Sequence, residues 1–168
     1  MPRNSCRHRS RIVLIHGATA LAVVLSGGGV LARAEEVTTR DGRTHNLQRL
    51  VDGLRDRMGI AAPVAVTIVE RDARTLSVRR SPDEPRVFAL SAERRFVESL
   101  TADQVEAALA HELGHVWIYT HHPYLQTEQL ANRVAMRAVA RERLVEVYHA
   151  LWGEDAVHGS LESFLGVQ

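Results

Sequence analysis

The sequence contains no lysine, so all 21 of its basic residues are arginine. Cysteine is nearly absent: with Cys6 alone, no disulfide can form within the chain, and hydrophobic burial has to stabilise it, helped at most by a metal. Aromatic residues make up only 5%, too few for a stacking surface that would hold single-stranded nucleic acid. No apolar run reaches the roughly 20 residues that a bilayer requires. What is present is ordinary for a globular protein: 45% apolar and 24% charged residues, too apolar for a disordered chain. A length of 168 residues fits one domain.

The N-terminus is patterned differently from the rest. Arg3, Arg7, Arg9 and Arg11 stand without an acid, and an apolar stretch from Ile12 to Leu25 follows, interrupted by His16 and Gly17. Ser26-Gly27-Gly28-Gly29 and then Ala32-Arg33-Ala34 precede Glu35-Glu36. A basic segment, a short apolar segment and a small-x-small site describe a secretory signal peptide over residues 1–34, with an uncleaved anchor helix as the alternative. Residues 35–168 then form a single domain that is exported to a periplasmic or extracellular space. Its 16 remaining arginines face all 20 acids, a net charge of −4 in place of the +1 of the whole chain. Nothing in that balance points to nucleic acid or to an anionic membrane.

Beyond residue 35 the apolar periodicity outlines an α+β domain. Leu47, Leu50, Val51, Leu54 and Met58 predict a helix over 45–58, closed by Gly59. Val64–Val69 reads as a buried strand, and Thr75–Val78 and Val87–Leu90 as two more. A short helix over 92–100 comes next. Thr101 and Gln104 form a capping box that opens a helix from Ala102 to about Thr120. After Pro123 the pattern predicts one long helix from Leu125 to Leu151, stopped by Gly153. Helices segregated from a small sheet indicate an α+β architecture.

The helix at 102–120 carries His111-Glu112-Leu113-Gly114-His115. Two histidines four residues apart share one helix face, so both rings can converge on one ion, and zinc accepts such nitrogens readily. Glu112, next to the first of them, is placed to act as general base on a metal-activated water. A third ligand has two candidates. His121 follows His115 by six residues, which resembles the metzincin spacing, but that pattern implies a glycine where the β-branched Ile118 stands, and His121 is assigned to the helix end instead. Glu128 opens the next helix, where it is either a third ligand or a first-turn acid favoured by the helix dipole. Asn132, one turn on, can accept the free N–H of a ligating imidazole. Ala131 and Ala135 would let the two helices approach closely.

Together, His111-Glu112-x-x-His115 and Glu128 followed by Ala131-Asn132-Arg133 resemble the gluzincin metallopeptidases, in particular the minigluzincins and the HtpX-type catalytic domains. The likeness spans about residues 60–140 and is specific over 104–135. It implies a zincin-like domain in which a small antiparallel-type sheet packs on the active-site helix and a glutamate helix follows. It further implies a zinc-dependent endopeptidase with one zinc ion held by His111, His115 and Glu128, with Glu112 as the catalytic base and Asn132 behind the ligands. A peptide or protein substrate would lie along an exposed sheet edge, placed at Val87–Leu90. The alternative is an exported zinc-binding domain that serves as an interaction or chaperone module without turnover. Tyr119, Tyr124, Tyr148 and His149 have the chemistry to stabilise an oxyanion, and the sequence does not choose among them.

Overall fold

The computed structural model describes residues 29–153 and 161–165. In chain order these form α1 (Gly29–Met58), β1 (Val64–Val69), β2 (Leu76–Arg80), β3 (Phe88–Glu93), α2 (Arg94–Ser99), α3 (Ala102–His121), α4 (Glu128–Ala135), α5 (Arg141–Trp152) and α6 (Leu161–Leu165). The expected leader lies almost wholly outside the described residues; only 29–34 fall within them, at the start of α1. The helix expected at 45–58 therefore starts earlier than its apolar pattern. It ends where expected, at Gly59, whose φ of +69° suits a residue without a Cβ. None of the described helices is long and apolar enough to cross a membrane.

The sheet is mixed. Its order is β1-β3-β2, with β1 parallel and β2 antiparallel to β3. This corrects the expectation of an antiparallel-type sheet, and the cause lies in the loops. Residues 81–87 close an ordinary hairpin between β2 and β3, with the Ser81 N–H donating to the Val87 carbonyl. The link from β1 to β2 instead crosses the end of β3, where the Asp72 N–H reaches the Glu93 carboxylate and the Glu93 N–H reaches the Thr75 carbonyl. β2 is thereby carried to the far edge and β3 fills the centre. Val64, Val66, Phe88, Leu90 and Ala92 point into the core, while Ala65 and Thr67 face solvent. β1 is thus covered on one face only, the usual state of a sheet backed by helices on one side.

The free edge of β1 is closed by α1. Gln48 donates to the Val64 carbonyl at 2.9 Å and accepts from the Val66 N–H at 2.9 Å, so one side-chain amide takes the place of a neighbouring strand. Leu47, Val51, Leu54 and Met58 bury the same face of α1. The capping box forms as expected: Thr101 accepts from the Gln104 N–H, and the Gln104 side chain accepts from the Thr101 N–H. Such a cap contributes about 1 kcal/mol.

The long helix expected over 125–151 is two helices, α4 and α5, joined by a turn at 136–140. A straight helix of that length would extend about 40 Å, well beyond the roughly 30 Å of α3. The turn instead folds α5 back, so that Leu144, Val147 and Tyr148 are buried. No proline or glycine marks the break.

α3 and α4 meet at Gly114. A Cβ built there would stand 2.3 Å from the Ala131 carbonyl oxygen and 2.9 Å from the Ala131 Cα, both backbone atoms that cannot swing aside. Gly114→Ala should therefore lower stability by about 1–3 kcal/mol, read from a urea midpoint. Gly53 supplies the contrast. It is exposed within α1 with nothing within 4 Å of its would-be Cβ, so Gly53→Ala should raise stability by about 0.5–1 kcal/mol.

Candidate metal centre

The capped helix α3 presents His111, Glu112 and His115 toward the start of α4. The rings of His111 and His115 lie edge to face with centroids 4.9 Å apart. Glu128 is the first residue of α4, whose N-terminus Thr127 caps by accepting from the Leu130 N–H. Glu128 Oε2 stands 3.1 Å from His111 Nε2 and 3.6 Å from His115 Nε2. One ligand atom from each of the three residues falls within 4.8 Å of the other two.

The far sides of both rings are fixed. His111 Nδ1 lies 2.7 Å from Asn132 Oδ1, and the Asn132 amide nitrogen donates to the Phe164 carbonyl at 2.7 Å. A carbonyl can only accept, so the asparagine oxygen must face His111 and the ring proton must sit on Nδ1. Gln126 does the same for His115: its nitrogen donates to the His115 carbonyl at 3.2 Å, and its oxygen lies 3.0 Å from His115 Nδ1. Both Nε2 lone pairs are thereby directed at the space beside Glu128. Asn132 is fully buried, and the Phe164 ring stacks on His111 with centroids 5.5 Å apart.

Hydrogen bonds to His111 and His115 hold the Glu128 carboxyl well below the usual carboxylate range. Burial opposes protonation of His115, but hydrogen bonds to Glu128 and Gln126 outweigh it and raise that ring's pKa. For Glu112, burial is the largest influence and pushes its carboxyl up, against the pull of the two histidines.

This donor set suits a tetrahedral ion. At metal–ligand distances of about 2.0–2.1 Å, tetrahedral geometry separates neighbouring donors by about 3.3–3.4 Å, which the two nitrogen–oxygen distances of 3.1 and 3.6 Å bracket, the whole set lying within 4.8 Å. His111, Glu112, His115 and Glu128 all line a cleft of about 750 Å³. One wall is the edge strand β2 and another is α5, through Leu144, Val147, Tyr148 and Leu151; the turn leading into β2 is tightly built. Thr75 holds a φ of +68°, costly for a β-branched residue, while Asp72 accepts from the Arg74 N–H and the Ser77 hydroxyl.

Of the other residues singled out in the sequence, Tyr119 and Tyr148 line the cleft, whereas Tyr124 is almost wholly exposed and His149 lies at the surface. His121 is outside the cluster, stacked on Trp117 with its Nδ1 2.8 Å from the Trp117 carbonyl. A peptide cannot add to Val87–Leu90 as expected, because β3 is the central strand; among the described residues the open edge is that of β2. Sequence reasoning missed Gln126 and Phe164. Gln126 stands two residues before Glu128 in the connecting loop, where a polar side chain aimed at the motif could have been sought. Phe164 carries no local signal.

No protein-family model matches the chain, and no curated protein does. Among solved structures, the chain is similar to the metallopeptidase zymogen abylysin of Pyrococcus abyssi, with a TM-score of 0.46 and 19% identity, over 60% of this chain and 87% of that one. At that level of similarity the reading of the site rests on its own geometry.

Replacing Asn132 with alanine removes the acceptor of His111 Nδ1–H and leaves the Phe164 carbonyl without its donor. The expected cost is about 1–3 kcal/mol, seen as a lower urea midpoint in the metal-free protein. The same cluster sets a pH dependence. The depressed Glu128 stabilises the fold above its ordinary 4.5, and this is lost as pH falls through the lowered value. The raised His115 stabilises it below its ordinary 6.5, and this is lost as pH rises through the raised value, a loss that Glu112 reinforces. After chelation, the stability difference between wild type and Glu128→Gln should peak between those two values and shrink toward alkaline pH. A difference that grows on the alkaline side would contradict the assignment.

Proposed function

We propose that this protein is an exported zinc-dependent peptidase, with His111, His115 and Glu128 as metal ligands and Glu112 as the catalytic base. One observation carries the reading: the three ligand atoms converge beside Glu112 in a cleft walled on one side by a strand edge that is unpaired among the described residues. A zinc ion bound there supplies a Lewis acid that activates water and polarises a peptide carbonyl. The remaining work falls to the chain. Asn132 and Gln126 hold the rings in the tautomer that offers Nε2. The β2 backbone takes the substrate as an added strand and so orients the scissile bond over α3. Glu112 accepts a proton from the attacking water and returns it to the leaving amine. The leader-like pattern of residues 1–34 supports export.

Metal analysis by mass spectrometry tests the ligand set. Wild-type protein should carry one zinc per chain, and Glu128→Ala should lose it or bind it at least tenfold more weakly. Glu112→Gln should retain zinc and lose peptide hydrolysis by several orders of magnitude. A wild type that takes no zinc on reconstitution would overturn the proposal, as would hydrolysis undiminished in Glu112→Gln.

A further inference from the structure

Three arginines of the β2 segment line the cleft: Arg74 in the turn before the strand, and Arg79 and Arg80 at its end. Among the described residues, none of their guanidinium groups has an ion pair or a hydrogen bond. Arg80 instead lies over aromatic rings, its Cζ 4.7 Å from the ring centre of Tyr119 of α3 and 5.8 Å from that of Phe88 of β3. That stacking fixes the group while leaving its N–H donors free at the rim. The Asp72-centred turn fixes the backbone of Arg74, whose side chain is exposed. Elsewhere on the surface, arginines such as Arg43, Arg57 and Arg143 do meet a carboxylate, from Glu98, Glu106 and Asp103 respectively.

The acids that line the cleft are Glu112 and Glu128. A divalent ion at the ligand set would balance both, leaving Arg80 and Arg74 as the uncompensated charge of the wall, with Arg79 adding its charge from the alternate face of the strand. An extended chain laid on β2 would meet Arg80 at one end of the strand and run toward Arg74, in the turn before Leu76, at the other.

We propose that the cleft selects acidic peptides, with side-chain carboxylates of the substrate paired to Arg80 at one end of β2 and to Arg74 at the other. The inference deepens the peptidase reading by naming its substrate class. An arginine–carboxylate pair formed at a partly enclosed rim gains from two parallel hydrogen bonds as well as from charge.

The test is binding, so that it does not depend on turnover. Fluorescently labelled peptides of one apolar sequence, carrying Glu or Gln at the same two positions six residues apart, are titrated by anisotropy against full-length Glu112→Gln protein loaded with zinc. The Glu peptide should bind at least tenfold more tightly. Arg80→Gln should remove most of that preference, read as the ratio of the two peptides' affinities for the same variant. Arg80→Glu should transfer the preference to a Lys peptide. Thermal melts confirm that these exposed substitutions leave the fold intact. Equal affinity for both peptides, binding of neither, or a preference untouched by both Arg80→Gln and Arg74→Gln would overturn the proposal. Zinc content is read separately: a protein that prefers the acidic peptide but takes no metal refutes the peptidase reading and keeps this one.

Discussion

Everything at the candidate metal centre depends on how closely α4 can approach α3. A carboxylate side chain is short, so Glu128 reaches the two imidazoles only if its backbone lies almost against the motif helix. Gly114 makes this possible because its missing Cβ is the space that the Ala131 backbone occupies. Ala131 and Ala135 keep the other side of the contact thin, and both are fully buried. One larger residue on either helix would push Glu128 outward by a fraction of the distance that separates an ion pair from a gap. The glycine inside the motif thus serves assembly of the site, while the residues around it serve its chemistry.

That approach also settles the orientation of each ring. Once α4 is seated, Asn132 lies one turn behind Glu128 and meets His111, while the loop before α4 brings Gln126 to His115. Both amides are committed on their nitrogen side to a backbone carbonyl, one from Phe164 and one from His115 itself. Neither can turn over without leaving a polar group unpaired, so the ring tautomers are fixed by two backbone carbonyls. Glu128 is left more than half exposed, and its ionised state is maintained by the two histidines in place of burial.

How far this arrangement could be read in the sequence depends on the range of the interactions. The strand at 64–69, the cap at Thr101 and the stop at Gly59 were legible because each is set by neighbours within a few residues. The likeness carried by the His-Glu motif and by Glu128, Ala131 and Asn132 also selected the residues that the fold gathers. Three features were not legible. The break at 136–140 has no proline or glycine and exists because α5 gains burial by folding back. The parallel pairing of β1 with β3 follows from a loop crossing that no strand pattern encodes. Phe164 joins the centre through a carbonyl and a ring stack from the far end of the chain, where its own sequence gives no sign of a partner.

The two edges of the sheet have opposite fates for connected reasons. With β3 in the centre, both outer strands expose unpaired backbone, a hazard for self-association. α1 removes the hazard at β1 by lending it Gln48, which satisfies a carbonyl and an N–H with one side chain. No described element does so for β2, and it cannot be covered if a substrate is to pair with it. Its protection must therefore be selective, and Arg79 and Arg80 provide that. Two copies of this edge would bring like charges together, which disfavours pairing between strands of the same protein. A chain bearing carboxylates meets the opposite condition. The same guanidinium groups that keep the edge from its own kind make it attractive to an acidic peptide, so solubility and selectivity need not be separate devices on this strand.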